Sequence, residues 1–203
     1  MGHMPETSAS ISRVCGKQIL PWLDQLAQLR VRIFRDFPYL YDGDLEYEQN
    51  YLKTYTRSAN SLVVLALNGD QLVGASTGVP LNDAEPAFRK PFLEQGYKPD
   101  EVFYFGESVL EKSYRGQGIG HRFFDEREGF ARELGFAITT FCAVERPDSH
   151  PARPTDYRPL DAFWQGRGYQ PQPGMRSEFH WRDIGDQQET TKPMQFWLSQ
   201  LKT

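Results

Sequence analysis

With 203 residues, 39% of them apolar and 25% charged, the chain has material for one globular core, and a net charge of -4 argues against nucleic acid as its main partner. No apolar run approaches the ~20 residues needed to span a bilayer, and no signal-peptide pattern opens the chain, so no membrane partner is expected. Two cysteines far apart, Cys15 and Cys142, each flanked by apolar residues, read as buried thiols rather than a disulfide framework, which predicts a soluble cytoplasmic protein.

Met1, Gly2, His3 and Met4 read as an expression scar (1–4), leaving 5–203 as a single domain. A short first strand is predicted at about 10–14. Leu20, Leu23, Leu26, Leu29, Val31, Ile33 and Phe34 then predict a helix over 18–34, with Pro21 near its first turn. An aromatic and acidic loop follows at 36–44. The next helix, at about 45–56, carries Tyr47, Tyr51, Leu52 and Tyr55. The apolar run 61–67, the turn Asn68-Gly69 and the run 71–79 predict a hairpin. Residues 82–100 form a longer excursion holding Pro86, Pro91 and Pro99, with a short helix near 87–95.

A strand is predicted over 101–110 and a helix from about Ile119 that stops near Gly135. A crossover helix makes the following strand, 136–144, parallel to its predecessor. The proline-rich loop 145–155, a helix at about 159–167 ending at Gly168, and two strands near 176–181 and 193–201 complete the chain.

The organising stretch runs Tyr114, Arg115, Gly116, Gln117, Gly118, Ile119, Gly120, His121, on a turn that leaves a strand and opens a helix. Its glycines let the backbone approach a ligand, and the unpaired N–H groups of a first helical turn suit a phosphate. Two nucleotide motifs fail on spacing. A nucleotide-hydrolase phosphate loop needs Gly-Lys-Ser/Thr, whereas Gly120 is followed by His121 and Arg122. The dinucleotide fingerprint needs its third glycine three positions after the second, whereas Gly118 and Gly120 are two apart, and an acid about 20 positions on, where Ile138, Thr139 and Thr140 stand.

The pattern Arg115-x-x-Gly118-x-Gly120 after a strand, with Tyr114 before it and an amphipathic helix behind, resembles motif A of the GNAT superfamily of N-acetyltransferases, and the order of elements resembles theirs over about 9–201. The resemblance implies an α/β (α+β sandwich) fold, with a mixed, centrally splayed sheet of six to seven strands flanked by helices. It also implies acetyl-CoA as cosubstrate, no metal, and direct attack on the thioester by the amine of a small molecule or peptide. The pyrophosphate would lie on Arg115, Gly116, Gln117, Gly118, Ile119, Gly120 and His121. The pantetheine arm would pair with the backbone at Ser108, Val109 and Leu110, with the Ser108 N–H facing the thioester carbonyl.

For the general base the resemblance points to Glu107 by position, provided a strand bulge re-aims it; otherwise Tyr104 or a water chain serves, and a structural role for Glu107 stands beside these. The family's usual tyrosine acid is replaced by Trp164, whose indole cannot give up a proton. Tyr157, near the start of the same helix, is the remaining candidate acid, or only packs. Tyr39, Tyr41 and Asp42, in the first interhelical loop, are the expected acceptor contacts, since carboxylates among aromatics suit a cationic amine. Arg146, His150 and Arg153 read as structural, and the four histidines show no metal spacing. The rival reading is a non-catalytic acyl-CoA-binding or sensing module. The closing strands leave room for a homodimer through the sheet edge.

Overall fold

Leu62, Val63, Val64, Leu65 and Ala66 are all buried, because the strand they form is covered on both faces rather than one. That strand lies in a seven-stranded mixed sheet of the computed structural model, which describes residues 8–202, so the four-residue scar lies outside the described residues. The strands are β1 (Ser10–Cys15), β2 (Leu62–Asn68), β3 (Gln71–Pro80), β4 (Val102–Leu110), β5 (Ile138–Val144), β6 (Gln170–Trp181) and β7 (Thr190–Gln200), in spatial order β1-β2-β3-β4-β5-β7-β6. Only β4 and β5 run parallel.

The helices are α1 (Leu23–Ile33), α2 (Leu45–Arg57), α3 (Pro86–Glu94), α4 (Ile119–Glu133) and α5 (Asp161–Gly166). One face of the sheet packs against α1, α2 and α3 through Leu26, Leu29, Leu52 and Phe92. The other packs against α4 and α5, where Phe124 and Ala131 meet Phe103, Phe105 and Phe141, while Phe123 meets Leu62, Val64 and Val73. The predicted helix over 18–34 is divided. Gly16–Trp22 is a 3-10 helix containing Pro21, whose missing N–H and fixed ring prevent one continuous α-helix, and the α-helix begins only at Leu23. Strand β6 starts earlier than predicted, at Gln170, because its pairing with β7 shifts register between Pro171 and Arg176 and spans the intervening irregular residues. Among the described residues no helix is long and apolar enough to cross a membrane.

Two irregularities in β4 position everything that follows. Its ladder with β5 covers only Val102 to Tyr104, opposite Ile138 to Thr140, after which the two strands part. Against β3 the register jumps: Ser76 faces Ser108, but Gly78 faces Phe105, so Gly106 and Glu107 together lie opposite Thr77 as a β-bulge. Gly106 has no side chain for a steric reason. A Cβ there would overlap the Tyr55 hydroxyl and Thr77 Oγ1. Gly106→Ala is therefore expected to lower stability by about 1–3 kcal/mol, the usual cost of overpacking, read from the urea unfolding midpoint; an unchanged midpoint would mean that the bulge yields.

Candidate active site

The glycine stretch leaves β4 through a 3-10 turn, Lys112–Tyr114. Tyr114 is buried and its hydroxyl accepts from Asn68 Nδ2 at 2.6 Å, tying the turn to the β2–β3 hairpin. Arg115 Nε donates to the Leu110 carbonyl at 3.0 Å, so its side chain braces the loop against the end of β4. Gly116 (φ 78°) and Gly118 (φ 82°) adopt left-handed backbone that an L side chain resists. Gly118 caps α4, and Arg122 N–H is the first to find its acceptor there, at 3.1 Å. The N–H groups of Ile119, Gly120 and His121 thus have no intrahelical acceptor. Nothing lies within 4 Å of the Cβ position at Gly116 or Gly118. His121 rests its ring near Phe163, centroids 4.6 Å apart, and supports the loop from the side of α5.

Beyond Tyr104 the edge of β4 that faces β5 carries no strand. Glu111 N–H donates to the Val73 carbonyl of β3 at 2.9 Å. Alternation along an antiparallel pair then turns the N–H groups of Ser108 and Leu110 away from β3 and into the opening, while that of Val109 faces β3. Free strand-edge donors and acceptors leading to a helix N-terminus suit an extended amide-bearing arm that ends in a pyrophosphate.

The bulge places Glu107 on the α1–α2 face, where it meets Arg30 and, through Arg30, Glu48. The three side chains are 8%, 12% and 2% exposed, and two carboxylates against one guanidinium leave a net charge of -1 in a buried site. Arg30 Nε donates to Glu48 Oε2. Its Nη1 touches Glu107 Oε1, yet neither of those two atoms makes an aligned hydrogen bond, so this contact is ionic. Burial alone would lower the Arg30 pKa, but the charges of Glu107 and Glu48 outweigh it and hold the guanidinium well above its ordinary value. The guanidinium also stacks over Phe34 and Tyr51, at 4.9 and 4.8 Å. Tyr51 and Tyr55 link hydroxyls at 3.3 Å, and Tyr55 reaches Thr77 Oγ1 at 3.2 Å, which in turn accepts from the Glu107 N–H.

The other sequence candidates lie apart from this cluster to different degrees. Tyr104 is buried with its hydroxyl 3.6 Å from Cys142 Sγ, and burial with that thiol as neighbour raises its pKa. Tyr157 sits in the loop before α5, edge-on to Phe37 at 4.8 Å and beneath Arg153 at 4.9 Å. Trp164 packs between Phe141 and Trp197, at 4.9 and 5.1 Å. In the first interhelical loop, Asp42 is engaged by Arg35 (3.1 Å) and Arg182 (2.8 Å), so its charge is already balanced. Tyr41 bridges to Asp183, and burial followed by the nearby Glu48 raises its pKa. The Tyr39 carbonyl accepts from Arg146 Nη2 at 2.7 Å and Trp181 Nε1 at 3.0 Å. Arg146 also forks onto Asp183, so it clamps this loop to the β6–β7 hairpin. A half-open groove of about 120 Å³ lies beside the cluster, lined by Tyr51, Tyr55, Phe88, Tyr104, Asp83 and Glu85.

Arg30, Glu48 and Arg127 were not singled out by sequence reasoning, and Tyr51 and Tyr55 were named only as residues of a helix. The signal was present: Arg30 follows Leu26 by four positions, and Glu48 precedes Leu52 by four, so both stand on the inward stripe of their helices.

A family model described as the acetyltransferase (GNAT) family matches residues 23–155. No curated protein matches the chain. Among solved structures, a ribosomal-protein-alanine N-acetyltransferase from Brucella melitensis is 16% identical with a TM-score of 0.58, covering 95% of this chain and 99% of its own. An aminoglycoside 6'-N-acetyltransferase complexed with coenzyme A is 16% identical, with a TM-score of 0.59 over 96% of this chain and 98% of that one. The protein yncA from Salmonella typhimurium, solved with its cofactor acetyl-CoA, is 10% identical with a TM-score of 0.58, over 96% and 95%. At these identities the likeness is one of fold.

Proposed function

The chain belongs to the acetyltransferase (GNAT) family, and on that premise we propose that it moves the acetyl group of acetyl-CoA to an amine of a small molecule or peptide. The observation that carries the reading is the bulge in β4. It turns the Glu107 carboxylate to one face of the strand while the Ser108 N–H points into the gap beside β5. Acetyl-CoA supplies the activated acyl group. The free N–H groups from Ile119 to His121 and the positive end of the α4 dipole suit its pyrophosphate. The open edge from Ser108 to Leu110 suits its amide-bearing arm.

An alkylamine with a pKa near ~10.4 arrives protonated at neutral pH and must lose a proton before it attacks. Glu107 is the acceptor of that proton. The buried trio of Arg30, Glu48 and Glu107 is one negative charge in excess, and an incoming ammonium balances it. The groove beside Tyr51 and Tyr55, with Asp83 and Glu85 at its rim, is a route for a cationic arm. Its volume is well below the roughly 300 Å³ of pockets that enclose drug-sized ligands, so it suits one arm of the acceptor rather than the whole. Asp42 contributes through loop structure and not as a free charge, which moves the acceptor contacts from the first loop to this groove. Tyr157 remains the candidate proton donor to the leaving thiolate, with solvent as its substitute.

Calorimetric titration with acetyl-CoA, followed by thiol release across an amine panel, tests the reading. Glu107→Gln is expected to lower kcat by about 10²–10⁴-fold with acetyl-CoA affinity little changed. An unchanged kcat would return Glu107 to a structural role. The non-catalytic reading draws on Trp164, which is packed among aromatics where the family usually has tyrosine. Acetyl-CoA binding without thiol release to any amine would favour it.

A further inference from the structure

Arg127 is a charged side chain that the proposed chemistry does not use. It lies on α4 at 2% exposure, among Phe123, Phe124 and Ala131. Its guanidinium is held between the rings of Phe105 and Phe124, at 4.3 and 4.9 Å. Its hydrogen-bond partners are all neutral: the carbonyls of Phe123 (3.3 Å), Thr77 (3.3 Å) and Glu107 (3.4 Å), and Ser108 Oγ (2.9 Å). Among the described residues no carboxylate forms an ion pair with it, and the neighbouring Glu128 is committed to Arg167 and Tyr169. Burial pulls its pKa down to about 10, which leaves it protonated at neutral pH.

A buried cation without a counter-ion is costly, and an apolar residue on this stripe of α4 would pack without that cost. What the cation faces explains its place. The β-bulge leaves the Thr77 and Glu107 carbonyls without a regular ladder, and Arg127 enters from the α4 side to satisfy both. The Glu107 carbonyl and the Ser108 N–H belong to one planar peptide, with the two groups on opposite sides. A positive charge at the carbonyl draws electron density through that amide and makes its N–H a stronger donor, the more so at low local dielectric.

We propose that Arg127 is a positioning residue that fixes the β4 bulge and polarises the Glu107–Ser108 peptide, so that the Ser108 N–H becomes a strong donor to the thioester carbonyl. This rests on the acetyltransferase reading and adds to it a source for the strength of a single-donor oxyanion site. It also assigns α4 a second task. The helix offers its N-terminus to the pyrophosphate and, two turns on, a cation to the reacting end.

The test is the infrared stretch of the thioester carbonyl of [1-13C]acetyl-CoA bound to wild type, Arg127→Lys and Arg127→Met, with calorimetric affinities for acetyl-CoA and CoA alongside. None of these readouts requires the acceptor to be known. Wild type is expected to shift the carbonyl to lower frequency than in water. Arg127→Met should lose most of that shift while CoA affinity stays within about threefold, less than 1 kcal/mol, and Arg127→Lys should keep an intermediate share. If the Met variant does not fold, Arg127→Gln, which removes the charge but keeps a hydrogen-bonding head, takes its place. A shift kept in full by the variant that lacks the charge would overturn the proposal, as would a fall in acetyl-CoA and CoA affinity together, which marks a purely architectural role. Failure of wild type to bind acetyl-CoA at all would instead remove the acetyltransferase reading, and this inference with it.

Discussion

Arg30→Met is expected to destabilise the fold by about 3–5 kcal/mol, a large share of the roughly 5–15 kcal/mol that holds a domain of this kind together. Met fills much of the space left by the guanidinium stem, so the loss is electrostatic rather than a cavity. Glu48 and Glu107, 2% and 8% exposed at their side chains, would face one another with no cation between them. The double replacement Arg30→Met with Glu48→Gln should recover much of the loss, because only one buried carboxylate then remains. Urea unfolding of wild type, both single variants and the double variant completes the cycle, and a coupling below ~0.5 kcal/mol would show that the trio does not act as a unit. The same cycle bears on function. If Arg30 holds the Glu107 carboxylate in place, the double variant should regain stability without regaining turnover.

The contrast between this trio and the glycine loop shows what a single sequence can carry. The loop was legible as a turn because its geometry is backbone geometry. Gly116, Gly118 and Gly120 mark where a chain must turn and where N–H groups must stay open, and local spacing encodes that directly. The Asn68-Gly69 hairpin and the seven strands were legible for a similar reason: alternation and turn residues act over a few positions. The splay of β4 from β5 entered only through family resemblance, since no local pattern states where a parallel ladder ends. The bulge was legible as a condition but not as a location. Thr77, Gly106 and Tyr55 interlock across 51 positions of sequence, and no local rule connects them. Arg30 and Arg127 were overlooked because arginine is read as surface, yet each sits on an apolar stripe, where a charged residue demands a partner. The acidic loop shows pairings that span both short and long separations. Arg35, seven residues away, and Arg182, which arrives only once β6 lies beside the loop, both pair with Asp42.

Gly118→Trp is expected to reduce acetyl-CoA affinity by at least about 100-fold, or ~2.7 kcal/mol, measured by calorimetric titration, with the unfolding free energy in urea lowered by no more than the about 1–2 kcal/mol that a left-handed L residue costs. Two effects contribute, and they can be separated. At φ 82° any L side chain strains the backbone that presents the N–H groups of Ile119, Gly120 and His121. Beyond strain, the space at Gly118 is open, with nothing within 4 Å of a Cβ, so an indole there is expected to project into the volume a pyrophosphate would need. Gly118→Ala carries the strain without the bulk. If strain dominates, both variants lose affinity alike; if occlusion dominates, Ala retains most of the binding and Trp abolishes it. Occlusion is the expected outcome, because the helix behind the loop is anchored independently by Phe123 and Phe124 in the core. Full affinity in Gly118→Trp would place the pyrophosphate elsewhere and remove the glycine loop from the site. The Ser108 edge and Glu107 would then be left without the anchor that brings a thioester to them.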